Sequence, residues 1–176
     1  MTISPDYLEQ QKLLHRNPNY GVASLTYGPI VAEIASQTQA RSISDYGAGK
    51  CNLRKKLHEL GRTDLEYYPY DPAFPEYGRP RPADLVCCID VLEHIEPEHL
   101  EAVLSELAGI TRKLAFFTIH TGPAVKHLPD GRNAHLIQEP ASWWLPRLSR
   151  HLEIFHLQRA AGGFWMLLEP LTVRKQ

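Results

Sequence analysis

The apolar positions of the chain change their spacing several times, and each change marks an element. Residues 5–15, PDYLEQQKLLH, carry apolar positions at helical spacing behind a Ser-Pro start, which predicts a short helix. RNPNYG interrupts it, and YGPIVAEIASQT predicts a second helix from about Gly28 to Thr38. A short, weakly apolar strand is expected over Ser42–Asp45, then the turn Gly47-Ala48-Gly49 and a helix, NLRKKLHEL, stopped by Gly61. DLEYYPYD predicts a second strand ending at Asp71, and the prolines of PAFPEYGRPRP then exclude both helix and central strand. ADLVCCIDVL is a near-continuous apolar run of the kind parallel sheets bury on both faces. EPEHLEAVLSELAGI sets Leu100, Val103, Leu104 and Leu107 on one helical face, with Pro97 in its first turn. RKLAFFTIH predicts the next strand, and a polar loop follows from Thr121 to about Gln138. EPASWWLPRLSRHL reads as a helix that Pro146 kinks or splits. LEIFHLQ and GGFWMLLEPLTV predict two closing strands, paired through an Ala-Ala-Gly-Gly turn.

Strands alternating with helices in this order predict an α/β sandwich whose sheet is mostly parallel, with an antiparallel ending. At 176 residues the expectation is one domain, residues 1–39 forming a helical cap and 40–176 the α/β core. A formal charge of −1 speaks against a broad nucleic-acid footprint. No apolar run reaches membrane-spanning length, and MTISPDYLEQQ has no signal-peptide character. Cys51, Cys87 and Cys88 form no disulfide framework, so the expected setting is cytoplasmic.

In such a sheet, ligands bind beyond the carboxyl ends of the strands. Gly47 and Gly49 would let backbone N–H groups approach a ligand there, and Asp71 would face the hydroxyls of a ribose. A G-x-G turn alone is a weak signal. Taken together, SDYGAGK, YPYDP and ADLVCCIDVLEHI resemble motifs I, II and IV of class I S-adenosylmethionine-dependent methyltransferases, a resemblance that runs from about residue 40 to 170. It implies a Rossmann-like methyltransferase sandwich. Asp45, Gly47, Ala48 and Gly49 would then contour the methionine half of the cofactor. Asp71 would take the ribose hydroxyls, with Pro72 beside the adenine, while Asp90 and Val91 lie near the transferred methyl. Two departures stand out: Cys51 replaces the family's third glycine, and only a Pro-rich loop separates Asp71 from Ala83. The family has a further helix and strand there, so this fold is shortened on its adenine side.

DVLEHIEPEHL and the later RNAHLIQEPASWW also resemble the metal-site motif of ubiquinone-biosynthesis O-methyltransferases and small-RNA 2′-O-methyltransferases. By that match Asp90, Glu93, His94 and His135 would hold a divalent cation, magnesium or manganese. The bland alternative also stands, with Glu93 favouring a helix N-terminus and His94 a packed histidine. His120, ending a strand over the site, is the best-placed general base, with His135 the second catalytic candidate. Trp143 and Trp144 cannot share one helix face, so one belongs to the core. Tyr20 is a candidate to fold over the cofactor. The expected activity is methyl transfer to an oxygen or nitrogen of a small molecule. Two rivals are ribose 2′-O-methylation of RNA, which needs Arg54, Lys55 and Lys56 to face the site, and an idle methyltransferase-like subunit that binds a protein. Cofactor affinity separates the last from the enzymes.

Overall fold

The computed structural model describes residues 2–171. Its elements in order are α1 (Pro5–His15), α2 (Ala23–Gln37), β1 (Ser42–Tyr46), α3 (Asn52–Glu59), β2 (Glu66–Tyr70), β3 (Ala83–Ile89), α4 (Leu100–Ile110), β4 (Thr111–His120), α5 (Ala141–Leu148), β5 (Leu152–Ala160) and β6 (Gly163–Pro170). Single 3₁₀ turns lie at Pro75–Tyr77, Leu92–His94 and Pro97–His99.

One six-stranded sheet runs in the order β2-β1-β3-β4-β6-β5. The first four strands are parallel, β6 pairs antiparallel with β4, and β5 antiparallel with β6. The expected α/β architecture and its antiparallel ending are therefore present. The hairpin Ala160–Gly163 joins β5 and β6 as its Gly content predicts, and a register shift between Ile154 and His156 leaves Phe155 exposed on the edge strand. Thr172 and Val173, expected to finish the last strand, lie outside the described residues.

A parallel sheet must be covered on both faces, and the alternation of side chains along β3 supplies both. Val86 and Cys88 join the layer under α4 and α5, with Leu100, Val103, Leu104, Leu107, Trp144 and Leu148. Leu85 and Cys87 join the opposite layer under α2 and α3, with Val31, Ile34, Ala35, Leu53 and Leu57. The two adjacent thiols are thus fully buried core groups on opposite faces.

Four elements differ from the sequence expectation. α4 begins at Leu100, so Pro97 lies in the 3₁₀ turn before it rather than in its first turn. α2 begins five residues earlier than Gly28, at Ala23, with Pro29 inside it. That proline is tolerated because packing of Val31, Ile34 and Ala35 against the sheet holds the helix across the missing N–H. Thus α2, counted with the cap in the sequence, packs in the same apolar layer as α3. β1 is short but buried at every position, polar Ser42, Ser44 and Asp45 included. Pro146 neither splits nor ends α5, which closes two residues later at Leu148.

Trp144 is fully buried, and its Nε1 donates to the carbonyl of Glu139 at 3.1 Å. Trp144→Ala is expected to destabilise the fold by about 3–5 kcal/mol, measured by urea unfolding, from lost burial and the cavity left behind.

Candidate active site

β1 and β3 are neighbours whose following helices lie on opposite faces of the sheet, which opens a crevice beyond their carboxyl ends. A cavity of about 380 Å³ occupies it. On the sheet side it is lined by Asp45, Gly47, Ala48, Gly49, Asp71, Pro72, Asp90 and Val91, all eight of the expected cofactor positions.

The turn after β1 is shaped by close approach. Gly47 (φ +80°) and Gly49 (φ +48°) both have left-handed backbone. A Cβ on Gly47 would fall 2.4 Å from Val91 Cγ2, so Gly47 and Val91 fit only because Gly47 has no side chain. Cys51, at the family's third glycine, adopts the same left-handed region (φ +54°) despite its side chain. The turn is tied to β2: the N–H groups of Gly47 and Ala48 both donate to the carbonyl of Tyr70, at 2.8 and 2.9 Å.

Asp71 ends that connection with each oxygen holding one backbone amide, Gly49 N–H at 3.0 Å and Ala73 N–H at 2.8 Å. Burial pushes its carboxyl above the usual range, and His15, 3.8 Å away, partly opposes this. Asp45 accepts the Tyr67 hydroxyl, and burial raises it to about 7. Asp90 has φ +50°, with its N–H on Thr118 Oγ1 at 2.8 Å and its carboxylate accepting the Thr118 hydroxyl.

Three imidazoles also meet at the cavity. The ring of His135 lies 4.7 Å from that of His94 and 4.9 Å from that of His120, and all three line the cavity. His94 Nδ1 is 2.7 Å from the carbonyl of Ala134, and His135 Nδ1 2.7 Å from that of Gly122. A carbonyl only accepts, so each ring carries its proton on Nδ1 and leaves the Nε2 lone pair free. Burial drives His94 down to about 3 and lowers His135 as well. Behind them Glu93 is fully buried: Oε1 accepts the N–H of His120 at 2.9 Å, while Oε2 has no partner. Burial and then Asp90 push the Glu93 carboxyl far up. Donor atoms of Glu93, His94 and His135 lie within 4.8 Å of one another, a spacing that suits a metal ion; Asp90 is outside that group.

Other expectations are sorted by where their side chains go. Trp144 is the core tryptophan, and Trp143 lies under the Arg147 guanidinium, 3.6 Å away. Neither lines the cavity, and nor do Arg54, Lys55 or Lys56. In the polar loop, Asp130 pairs with Arg132, while Asn133 staples the backbone at Ala124 and His135. Tyr20 does line the cavity, its hydroxyl on Gln11 Oε1 at 3.0 Å. Lys50 points away, donating to the carbonyls of Asn17 and Tyr20. The sequence reading missed Tyr7, Gln11 and His15, which line the cavity from α1. Their spacing of four residues was the available signal, because it puts one polar stripe on one helix face.

Gly47→Ala is expected to lower the melting temperature and narrow the cavity. Adding Val91→Ala should restore part of the loss, the steric part, leaving the backbone strain. His94 gives a pH dependence. Its folded pKa lies below that of the unfolded chain, so the unfolded state takes up the proton first, and the stability it contributes is lost as pH falls from about 6.5 towards about 3. The stability advantage of wild type over His94→Gln should shrink across that window, as read by urea unfolding at stepped pH.

No family model matches the sequence, and no curated protein does. Solved structures do match. The 1,6-didemethyltoxoflavin-N1-methyltransferase of Burkholderia thailandensis, solved with 1,6-didemethyltoxoflavin and S-adenosylhomocysteine, superposes with a TM-score of 0.66 at 16% identity, over 98% of this chain and 92% of that one. An O-methyltransferase family protein, also from Burkholderia thailandensis, gives 0.59 at 12% identity over 86% of this chain. An O-methyltransferase family 2 protein from Planctomyces limnophilus, in complex with apigenin, gives 0.54 at 12% over 82%. This chain spans 57% and 47% of those two proteins. The strand order, the crevice and the antiparallel ending thus form the fold that this chain shares with methyltransferases of known structure.

Proposed function

We propose that the chain is an S-adenosylmethionine-dependent methyltransferase acting on an oxygen or nitrogen of a small molecule. The observation that carries this reading is one cavity lined at once by a glycine turn, a buried carboxylate suited to ribose hydroxyls and three imidazoles. The bound cofactor supplies an electrophilic methyl group on a sulfonium and leaves as S-adenosylhomocysteine. The residues fit it. Asp71 uses one lone pair on each oxygen for the protein, which leaves about two of about four for a diol. Gly47 and Gly49 bring backbone close to the methionine half, Asp45 stands behind them, and Ala48, Pro72, Asp90 and Val91 line the remaining wall.

His120 and His135 line the same cavity, so an acceptor hydroxyl or amine held there gives its proton to a neutral imidazole as the new bond to carbon forms. Transfer of this kind depends mostly on holding donor and acceptor in line, and the protein's part is that geometry. Glu93, His94 and His135 also fit a divalent cation, magnesium or manganese, through two free Nε2 lone pairs and a carboxylate oxygen without a partner. Such an ion would supply Lewis-acid polarisation of the acceptor and reverse the upward push on Glu93. The neighbours solved with apigenin and 1,6-didemethyltoxoflavin support a small-molecule acceptor. Three free thiols support a cytoplasmic setting, and no helix among the described residues is long and apolar enough to cross a membrane.

Calorimetric titration with S-adenosylmethionine and S-adenosylhomocysteine tests the reading. At about a hundredfold over the dissociation constant, ligand should add about 2.7 kcal/mol. For a chain of this size that corresponds to a rise in melting temperature of roughly 5–11 °C. Asp71→Ala should remove it. If neither ligand binds the wild type, the enzyme reading fails and the idle, partner-binding fold is the better account. For the cation, manganese alone should raise the melting temperature of wild type and not of His135→Ala. An equal response of the two proteins would count against this donor set.

A further inference from the structure

β2 is the last strand on its side of the sheet among the described residues, and between Asp71 and Ala83 there is only one 3₁₀ turn. The half of the cavity beside Asp71 therefore lacks a wall that the sheet would otherwise supply. The N-terminal segment fills that place. Thr2 and Ile3 line the same cavity as Pro72, Ala73, Val91 and Ile95, and α1 crosses its mouth with Tyr7, Gln11 and His15 facing inward.

The segment is fastened at both ends. Glu96, buried at the turn before α4, accepts two hydrogen bonds from Ser4, from its N–H at 2.7 Å and from its hydroxyl at 2.6 Å. Ser4 is also the N-cap of α1, its Oγ accepting the N–H of Tyr7 at 3.3 Å. Tyr7 donates to the carbonyl of His94 at 2.6 Å, and Gln11 links the Tyr7 and Tyr20 hydroxyls. Beyond α1, Lys50 and Asn52 hold the carbonyls of Asn17, Tyr20 and Gly21, and Lys126 holds that of Asn19. None of these bonds involves a strand's backbone, so the roof can part from the sheet without breaking a ladder.

His15 is the informative residue. Its ring lies against Gly49, where a Cβ would come within 3.0 Å of Cε1, and its Nε2 is 3.8 Å from Asp71 Oδ2. Its Nδ1 is buried and has no partner in the protein. A buried polar atom without a partner is costly, and the ring that carries it lies beside the carboxylate assigned to a hydroxyl ligand.

We propose that residues 2–15 are the missing wall of the nucleoside half of the site, held shut by the Ser4–Glu96 clamp, with the His15 imidazole holding a ligand hydroxyl beside Asp71. The proposal rests on the cofactor reading above. Ligand binding and roof closure are then one equilibrium, and the clamp contributes to affinity although it does not touch the ligand.

The test uses the 176-residue chain as wild type, Glu96→Ala and His15→Phe, titrated with S-adenosylhomocysteine and with 5′-methylthioadenosine, which keeps only the nucleoside half. His15→Phe keeps the ring and removes both nitrogens. Each variant should weaken both ligands by a similar factor, about tenfold or more, the scale of one lost buried hydrogen bond. Amide hydrogen exchange over α1 should slow when S-adenosylhomocysteine binds wild type, and less so in Glu96→Ala. Wild-type affinity for both ligands in both variants, or unchanged α1 exchange in wild type, overturns the roof while leaving the cofactor reading intact. Failure of wild type to bind S-adenosylhomocysteine overturns the cofactor reading and the roof together. Should Glu96→Ala prove poorly folded by its melting curve, His15→Phe decides the matter alone, since its ring still fills the space over Gly49.

Discussion

Everything at the site depends on the divergence of two neighbouring parallel strands. β1 leads into α3 on one face and β3 into α4 on the other, so beyond their ends the sheet has no cover from either helix layer. That divergence is a consequence of burying both faces of a parallel sheet with right-handed connections. The crevice is then fitted closely by a single contact, Gly47 against Val91, in which the first strand's turn meets the first residues after β3. A side chain at Gly47 would push apart the elements that carry Asp71 on one side and Asp90 on the other.

Burial does most of the electrostatic work. The carboxyls of Asp45, Asp71 and Glu93 are all raised, and the imidazoles of His15, His94 and His135 are all lowered. Each group is moved towards its neutral form by the same cause, loss of water. The neutral imidazoles of His94 and His135, each with its proton held by a carbonyl, are ready to accept a proton or ligate a cation. Behind them stands Glu93, whose charged form burial disfavours and a positive partner would favour. Carboxyls and imidazoles of one cavity thus receive different chemistry from one physical effect.

Much of the fold was legible because periodicity is strongest where burial is most complete. The run of β3, the apolar face of α4 and the glycine hairpin before β6 all follow from it. Residues at strand ends were legible for the same reason: once ADLVCCI is a buried strand, Asp90 must stand at its exit, and Asp71 follows likewise from β2. What escaped was set by tertiary packing. Pro29 looked like a helix start and sits inside one, because α2 is held by the sheet rather than by its own propensity. Tyr7, Gln11 and His15 share one face of α1 and Glu96 stands before α4, but only tertiary packing brings them to the cavity. A polar stripe is read as solvated unless something is known to cover it, and here the cover is the site itself. The separation of Asp90 from the Glu93–His94–His135 group was equally hidden, since sequence spacing does not fix where the donor atoms lie.

The register shift at Phe155 has a consequence for how the molecule behaves in a crowd. A six-stranded open sheet offers two lateral borders, and an unbroken border invites another chain to stack onto it, the first step towards fibres. On one border Pro69 removes a donor from β2, and on the other the irregularity between Ile154 and His156 bends β5 and turns Phe155 out of line. Neither border presents a regular run of amide donors and acceptors. The exposed phenylalanine therefore sits on a strand whose geometry discourages the self-association its hydrophobicity would otherwise promote.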